Sequence, residues 1–319
     1  MRYNLQIQSD EIGDQVRSKF AMIVPILNGM LNSTKASIIQ QVGGKRSITF
    51  EMFCRVYNEH PGDYGICFEY ALHDSIRRRD NSVYPLVSDV LESFCTIPGG
   101  AESILFGAEK GGDASVVETA RNLFNEESKI LVGRQSPPTF LKRHFDNIVS
   151  ALRNVSIQQK LPSSIRGVWK ADLFLGNGQS NYWVAATLKT NRKHIEYAPG
   201  LRVALFPEER RSESPRREGD LIHCPLPYNG EFMELFGSSF QIIKQLVATK
   251  GKQPSWTALV YPADQEVAKW LADRANFPVL DILDAIDAIK QPGLLREEVV
   301  DVSGENEMVA AAPIPFVES

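Results

Sequence analysis

Three polar side chains near the middle of the sequence are of types that could bind a metal ion and activate water: Asp172, Thr187 and Lys189. An aspartate supplies the oxygen ligands that hard cations such as Mg²⁺ prefer. A lysine ammonium beside it can orient a water molecule or stabilise developing negative charge. Asp172 and Lys189 both occur in apolar segments, where a charged side chain is unusual without a reason. Whether they act together depends on the elements that carry them.

The segment around these residues predicts a β-hairpin. Residues 168–175 and 182–188 are rich in aromatic and aliphatic side chains, which is typical of strands. Between them, Gly176-Asn177-Gly178-Gln179 has the composition of a tight turn. We therefore expect two antiparallel strands joined by this turn.

The register of the hairpin decides which side chains meet. With the turn centred near Gly178, Asp172 is expected to lie opposite Ala185. Side chains alternate along a strand, so Thr187 and Lys189 share the face of Ala185 and thus of Asp172. A register shifted by one residue would place them on opposite faces. The prediction is one cluster of Asp172, Thr187 and Lys189.

An upstream segment, 65-GICFEYALHDSI-76, predicts a helix on which Glu69 shares a face with Leu72 and Ile76. A helix with an inward Glu, an Asp on one hairpin strand and an x-Lys at the end of the next strand resembles the PD-(D/E)XK nuclease superfamily, also called restriction-endonuclease-like. The resemblance is one of motif pattern. It implies an α/β (α+β) fold in which a mixed-sheet core is flanked by helices.

The resemblance implies a Mg²⁺- or Mn²⁺-dependent DNA endonuclease of the restriction or phage-defence type. Asp172 would be a metal ligand, Glu69 a second ligand or a partner through water, and Lys189 would position the attacking water or stabilise charge. Thr187 departs from the pattern, which expects Glu or Asp there, because a neutral hydroxyl is a poorer Mg²⁺ ligand. Glu196 is then the nearest carboxylate that could complete the metal set.

Charge is distributed unevenly along the chain. Its net charge is −4, yet residues 131–207 contain eleven Lys or Arg and three acidic residues. A basic segment that coincides with the hairpin indicates binding to a phosphate backbone, and a solvated surface with its charges paired elsewhere is the alternative. The candidate nucleic-acid-binding residues are Lys142, Arg143, Arg166, Lys170, Arg192 and Lys193. Duplex DNA is the favoured partner, and a homodimer or a defence-system protein is a further one.

Composition places the chain among ordinary globular proteins, with 43% hydrophobic and 23% charged residues in 319. No apolar run is long enough for a membrane helix, and the start of the sequence lacks a signal-peptide core. We therefore expect a cytoplasmic protein without membrane contacts. The four cysteines are widely spaced and include no CxxC pair, so neither a zinc site nor a disulfide framework is predicted.

The chain divides into three predicted regions: a helical N-terminal region at 1–60, a nuclease-like α/β core at 61–296 with a helical insertion at about 80–160, and a disordered acidic tail at 297–319. Helical periodicity is present at 10–31, 47–58, 64–79, 115–124, 139–155, 231–248, 263–274 and 281–290. Strands are predicted at 201–206 and 256–261. Residues 96–113 are expected to form a structured loop around a short helix, and residues 207–220 a charged loop.

Two other functions remain open from the sequence. The first is a nucleic-acid-binding or assembly subunit that has this fold without catalysis, which Thr187 would permit. The second is a small-molecule enzyme built on the C-terminal α/β units, although the chain has no nucleotide-binding fingerprint and no GxSxG motif.

Overall fold

A mixed eight-stranded sheet with helices packed against it forms the centre of the protein. The structure is a computed structural model that describes residues 4–6, 13–106, 114–133, 136–208, 214–289, 299–303 and 307–309. Within these ranges no helix combines the length and apolarity needed to span a membrane.

The described helices account for most of the predicted helical periodicity. They are α1 (Asp14–Ser33), α2 (Ala36–Gln41), α3 (Phe50–Val56), α4 (Asp63–Arg77), α5 (Tyr84–Cys95), α6 (Ala114–Leu123), α7 (Phe145–Arg153), α8 (Val155–Lys160), α9 (Glu231–Ala248), α10 (Pro262–Ala272) and α11 (Val279–Ile289). Short 3-10 turns occur at Lys142–His144, Val168–Lys170 and Arg192–His194. α1 continues through Pro25, although a proline inside a helix usually kinks or ends it.

The described strands are β1 (Asn4–Gln6), β2 (Glu102–Leu105), β3 (Lys129–Ile130), β4 (Thr139–Phe140), β5 (Leu173–Asn177), β6 (Tyr182–Leu188), β7 (Arg202–Glu208), β8 (Arg216–Glu218), β9 (Leu221–Pro227), β10 (Val299–Ser303) and β11 (Glu307–Val309). The main sheet has the order β2-β5-β6-β7-β9-β8, and β3 pairs with both β4 and β6. β2, β5 and β6 are antiparallel neighbours, whereas β6, β7 and β9 run parallel. β1, β10 and β11 form a separate three-stranded sheet.

The predicted hairpin is β5 and β6. Its second strand has the predicted bounds, but its first strand begins only at Leu173, because Val168–Lys170 forms a 3-10 turn. The turn is fixed by Asn177, whose Oδ1 accepts hydrogen bonds from the backbone N–H of Gln179 at 2.9 Å and of Ser180 at 3.2 Å. Gly176 suits the narrow strand pair, because a Cβ there would collide with the carbonyl oxygen of Tyr182.

Alternation along β5 and β6 divides the core between the two faces of the sheet. Leu173 and Leu175 belong to a large cluster that also contains residues of α1, α3, α4, α9 and α10. Phe174 and Ala185 belong to a smaller cluster with residues of α6 and α7. By the same alternation, Asp172 and Thr187 lie on the face of the smaller cluster.

The structure differs from the sequence-based assignment in four segments. The region 96–113 contains β2, which pairs with β5, and residues 107–113 lie outside the described residues. Residues 256–261 are not a strand, and Trp256, Val260 and Tyr261 are exposed. This apolar run has the composition of a strand, but it pairs with no strand in the described part of the chain.

The third and fourth differences are in residues 139–155 and in the segment after the charged loop. Regular helix begins only at Phe145, after β4 and a 3-10 turn. β9 was not predicted, because its two prolines, Pro225 and Pro227, argue against a strand and its pairing with β7 is a tertiary contact. In the predicted disordered tail, β10 and β11 are described as strands and the remaining residues lie outside the described ranges.

Candidate active site at Asp172 and Lys189

Asp172 directly precedes β5 and is held by its backbone between two strands. Its N–H donates to the carbonyl oxygen of Ala186 at 2.8 Å, and its carbonyl accepts from the N–H of Phe106 at 3.0 Å. The side chain is almost completely buried, at 1% relative exposure. A buried carboxylate requires hydrogen-bond donors or a positive charge to offset the loss of hydration.

The Asp172 carboxylate has three donors on one oxygen. Its Oδ2 accepts from the backbone N–H of Leu188 at 2.8 Å and from the Thr187 hydroxyl at 3.1 Å. The ammonium of Lys189 lies 3.4 Å from the same oxygen, and its side chain is 28% exposed. Lys189 therefore contacts a buried carboxylate while its ammonium remains within reach of solvent.

The predicted cluster of Asp172, Thr187 and Lys189 is confirmed, although the register differs from the predicted one. Ala185 pairs with Phe174 and not with Asp172. Continuing this register places Asp172 beside Thr187. The shift is two residues, so each side chain stays on its predicted face.

Arg202, at the start of β7, is a site residue that the sequence did not single out. It is 3% exposed, and its Nη2 donates to the backbone carbonyl of Gly167 at 3.0 Å. Burial lowers the pKa of the guanidinium, while the carboxylates of Asp172 and Glu196 act in the opposite direction. Within the described residues its Nε has no hydrogen-bond partner. The signal available in the sequence was a charged residue at the second position of the predicted apolar strand 201–206.

Glu196 lies near enough to Arg202 for its carboxylate to act electrostatically on that guanidinium. It also forms an ion pair with Lys170 at 2.8 Å. Two carboxylates, Asp172 and Glu196, are thus within electrostatic range of one buried cation. Lys170 also lies over the ring of Trp169, 5.4 Å from its centroid.

Glu69 was predicted as a second metal ligand or a partner through water, and this role stays a prediction. Its helix α4 packs through Phe68, Leu72 and Ile76 into the large core cluster, on the face of the sheet opposite Asp172. Among the described residues, no group of three or more His, Cys, Asp or Glu could hold a metal ion. Helical periodicity identified an inward face of α4 but not the face of the sheet that it contacts.

The predicted nucleic-acid-binding residues fall into two groups. Arg166, Lys170, Arg192 and Lys193 belong to segments near Arg202 or the end of β6, and the side chains of Arg166 and Lys193 are exposed without a partner in the described structure. Arg192 pairs with Glu208 at 3.3 Å.

Lys142 and Arg143 lie near the opposite end of β6. They follow Phe140, whose ring is 5.1 Å from the ammonium of Lys129, and Lys129 pairs with Tyr182 at the start of β6. Lys142 forms an ion pair with Glu126 at 3.2 Å, and Arg143 lies over Phe140 at 4.5 Å. Since β6 has 7 residues, the two basic groups are separated by roughly 20 Å.

Comparisons of the chain with protein-family models, with curated proteins and with solved structures gave no match. A functional proposal therefore depends on the geometry of Asp172, Lys189 and Arg202 and on the motif resemblance.

Proposed function

We propose that the protein is a metal-dependent endonuclease that hydrolyses phosphodiester bonds of DNA, with Asp172 and Lys189 as its reaction centre. The observation that carries the proposal is the 3.4 Å contact between the Lys189 ammonium and the buried Asp172 carboxylate, made by residues at adjoining ends of two paired strands. This is the arrangement that the resemblance to the PD-(D/E)XK superfamily implies for the two residues. A restriction or phage-defence role is the biological setting that we propose for it.

Lys189 is the group that would contact the reacting atoms. Its ammonium carries a positive charge at the edge of a buried site, where a scissile phosphate or an attacking water can approach it. Positive charge placed where negative charge develops lowers the barrier to phosphodiester hydrolysis. Asp172 holds the ammonium in place and is itself fixed by Thr187 and Leu188.

The carboxylates near Arg202 fit Mg²⁺ or Mn²⁺ that is shared with the substrate. Mg²⁺ keeps several of its waters and commonly binds through one or two carboxylates together with substrate phosphates. Asp172 and Glu196 would supply those carboxylates, and hard oxygen ligands without His or Cys favour these ions over zinc. A bound divalent ion would lower the pKa of a coordinated water and neutralise charge on the phosphate.

Binding of DNA would draw on the basic residues around the end of β6. Arg166 and Lys193 are exposed, and neither is paired with another residue in the described part of the chain. They are therefore available for phosphate contacts without breaking an ion pair. Arg192 and Lys170 are held by Glu208 and Glu196, so their use by DNA would require an exchange of partners.

A second candidate function, an inactive nucleic-acid-binding or assembly subunit, is favoured by a different observation. Thr187 occupies the position where the family pattern has a carboxylate. The nearby Asp172 Oδ2 already accepts from three protein donors. A carboxylate with this many donors has fewer lone pairs available for a metal ion.

A cleavage assay separates the two candidates. Purified full-length protein is incubated with linear duplex DNA, single-stranded DNA and RNA, with Mg²⁺ or Mn²⁺ or with a chelator, and binding is measured in parallel. For the nuclease, Asp172→Asn and Lys189→Met should each lower metal-dependent cleavage by about a hundredfold or more while DNA affinity changes little.

Lys244→Met is the matched control. Lys244 is a lysine on α9, a helix that packs on the other face of the sheet, and it forms an ion pair with Glu59. Its cleavage rate should equal that of the wild type. DNA binding without cleavage on any substrate would establish the inactive subunit, and absence of both would reject both candidates.

A further inference from the structure

A cleft of about 790 Å³ lies between α1 and α4. The two helices run antiparallel, since Asn32 near the end of α1 bonds Tyr70 in the middle of α4, while Arg17 near the start of α1 faces Arg77 across the cleft. α4 packs on the face of the sheet opposite Asp172, so this cleft is separate from the candidate active site.

The sequence of α1 explains why the cleft opens at one end. At Gly29 the helices touch, because a Cβ at that position would lie only 3.1 Å from the Cα of Cys67. Four residues earlier, Pro25 lacks the N–H that would bond the carbonyl of Ala21, which loosens the helix at this turn. The cleft is lined by Ala21 and by residues on either side of it, towards the N-terminus of α1.

The walls of the cleft differ between its two ends. Tyr70 and Leu105, which pack together, form an apolar end with Val24 and Pro25. The other end is lined by three arginines, Arg17, Arg77 and Arg78, and the carboxylates of Asp74 and Asp287 also line the cleft, which leaves an excess of one positive charge. A site with one apolar end and one cationic end fits a ligand that is anionic at one end and apolar or aromatic at the other.

Arg77 is the cation that remains available to a ligand. Arg78 is held by Asp74 at 2.6 Å, and Arg17 by Asp14 at 3.2 Å. Arg77 makes no hydrogen bond or ion pair with any residue in the described part of the chain. Its guanidinium lies close enough to His73 to act on it electrostatically.

His73 adds a neutral polar group to the same wall. Its Nδ1 is 3.0 Å from the Ser103 hydroxyl, so one ring nitrogen is engaged and Nε2 is left for a ligand. Burial, with a contribution from Arg77, lowers the pKa of His73 to about 4. The imidazole is therefore uncharged at neutral pH and adds no repulsion to the arginines.

The geometry points to a binding site for a small phosphorylated molecule that carries a ring, with its phosphate on Arg77 and its ring against Tyr70 and Leu105. Arginine recognises phosphate through paired N–H donors, and the volume of the cleft is within the range of small-molecule sites. Nucleoside monophosphates have this chemistry. The inference does not depend on the proposed nuclease function.

The test is calorimetric titration of the full-length protein in chelator, so that metal-dependent chemistry is absent. The probes are adenosine monophosphate, guanosine monophosphate, adenosine and inorganic phosphate. We expect saturable binding of at least one nucleotide, with adenosine and phosphate each binding at least about tenfold more weakly, because each lacks one of the two halves. Arg77→Gln should weaken nucleotide binding by about tenfold or more.

Arg46→Gln is the matched control, because Arg46 is also exposed and has no partner within the described residues. Ser18→Trp is a second variant, in which an exposed cleft residue fills the space, and it should abolish binding without lowering the melting temperature. Absence of binding by both nucleotides would overturn the inference. So would nucleotide binding that survives Arg77→Gln but is lost in Lys189→Met, which would locate the ligand at Asp172.

Discussion

Arg202 donates a 3.0 Å hydrogen bond to the backbone carbonyl of Gly167, and this bond fixes a buried guanidinium within electrostatic range of Asp172. Gly167 is required at this contact, because a Cβ there would collide with the carbonyl oxygen of Pro199 and lie 3.1 Å from Nη2 of Arg202. The pair joins the segment before β5 to the start of β7. Positive charge is thereby built into the sheet beside the candidate reaction centre.

Replacement of Arg202 by Met should destabilise the fold. The substitution removes one of the two cations that act on the buried Asp172 carboxylate and leaves the Gly167 carbonyl without its donor, which should cost about 1 to 3 kcal/mol. Urea unfolding followed by circular dichroism measures the loss. Arg166→Gln is the control, since Arg166 is an exposed arginine one residue from Gly167, and it should change stability by less than about 0.5 kcal/mol. Equal stability of Arg202→Met and the wild type would show that Asp172 does not depend on this charge.

Substitutions of Thr187 test whether the site lacks one metal ligand. Thr187→Val removes a hydroxyl that donates to Asp172 at 3.1 Å, and should cost roughly 1 to 3 kcal/mol. Thr187→Glu places a second carboxylate against Asp172, which should cost several kcal/mol in chelator. If the pocket binds Mg²⁺, added Mg²⁺ should recover much of this loss and cleavage should equal or exceed that of the wild type. A melting temperature of Thr187→Glu that does not respond to Mg²⁺ contradicts the metal-site interpretation.

Salt dependence tests the proposed DNA contacts. The logarithm of the affinity for duplex DNA should fall linearly with the logarithm of salt concentration, because binding releases counterions. Lys193→Gln and Arg166→Gln should each reduce the slope by about one unit. Lys244→Gln, on the far side of the sheet, should leave it unchanged. Fluorescence anisotropy over a range of salt concentrations gives the slopes, and a slope insensitive to Lys193 and Arg166 would exclude these residues from the interface.

Stability should decrease on mild acidification because of His73. Burial lowers its pKa from the ordinary value of 6.5 to about 4, so between these values the unfolded chain binds a proton that the folded chain does not. The contribution of the neutral His73 side chain to the free energy of unfolding is complete above about pH 6.5. As pH falls towards about 4, the free energy of unfolding decreases by roughly 3 kcal/mol at most. His73→Gln should flatten the unfolding free energy against pH in this window. An unchanged slope in the variant would assign the acid sensitivity to other groups.

Hydrophobic periodicity and strand alternation predicted the secondary-structure elements of the site and the faces on which its side chains lie. Long-range contacts determined which residues belong to the site. Residues 182–188 were predicted as a strand, and alternation placed Asp172, Thr187 and Lys189 on one face, as observed. α9 was predicted with its observed bounds, because its apolar period is long and regular.

What the sequence could not supply was pairing between distant segments. Arg202 contacts Gly167, 35 positions earlier, and no local rule links the two. The face of the sheet that receives α4 is also set by tertiary packing, so helical periodicity placed Glu69 on an inward face of α4 but could not place it relative to Asp172. The exposed segment at 256–261 has the composition of a strand but no partner strand among the described residues.

The bond from Leu188 N–H to the Asp172 side chain has a consequence for the sheet itself. β5 begins at Leu173, so at this point the neighbouring strand β6 meets a side-chain oxygen as acceptor for Leu188. Asp172 thus accepts from a backbone N–H at the edge of the hairpin ladder, much as the side chain of an N-cap residue accepts from an N–H in the first turn of a helix. The same carboxylate closes the hydrogen bonding of the sheet and carries the charge opposite Lys189. Asparagine at this position preserves the acceptor and removes the charge, whereas alanine removes both and frays the end of the hairpin.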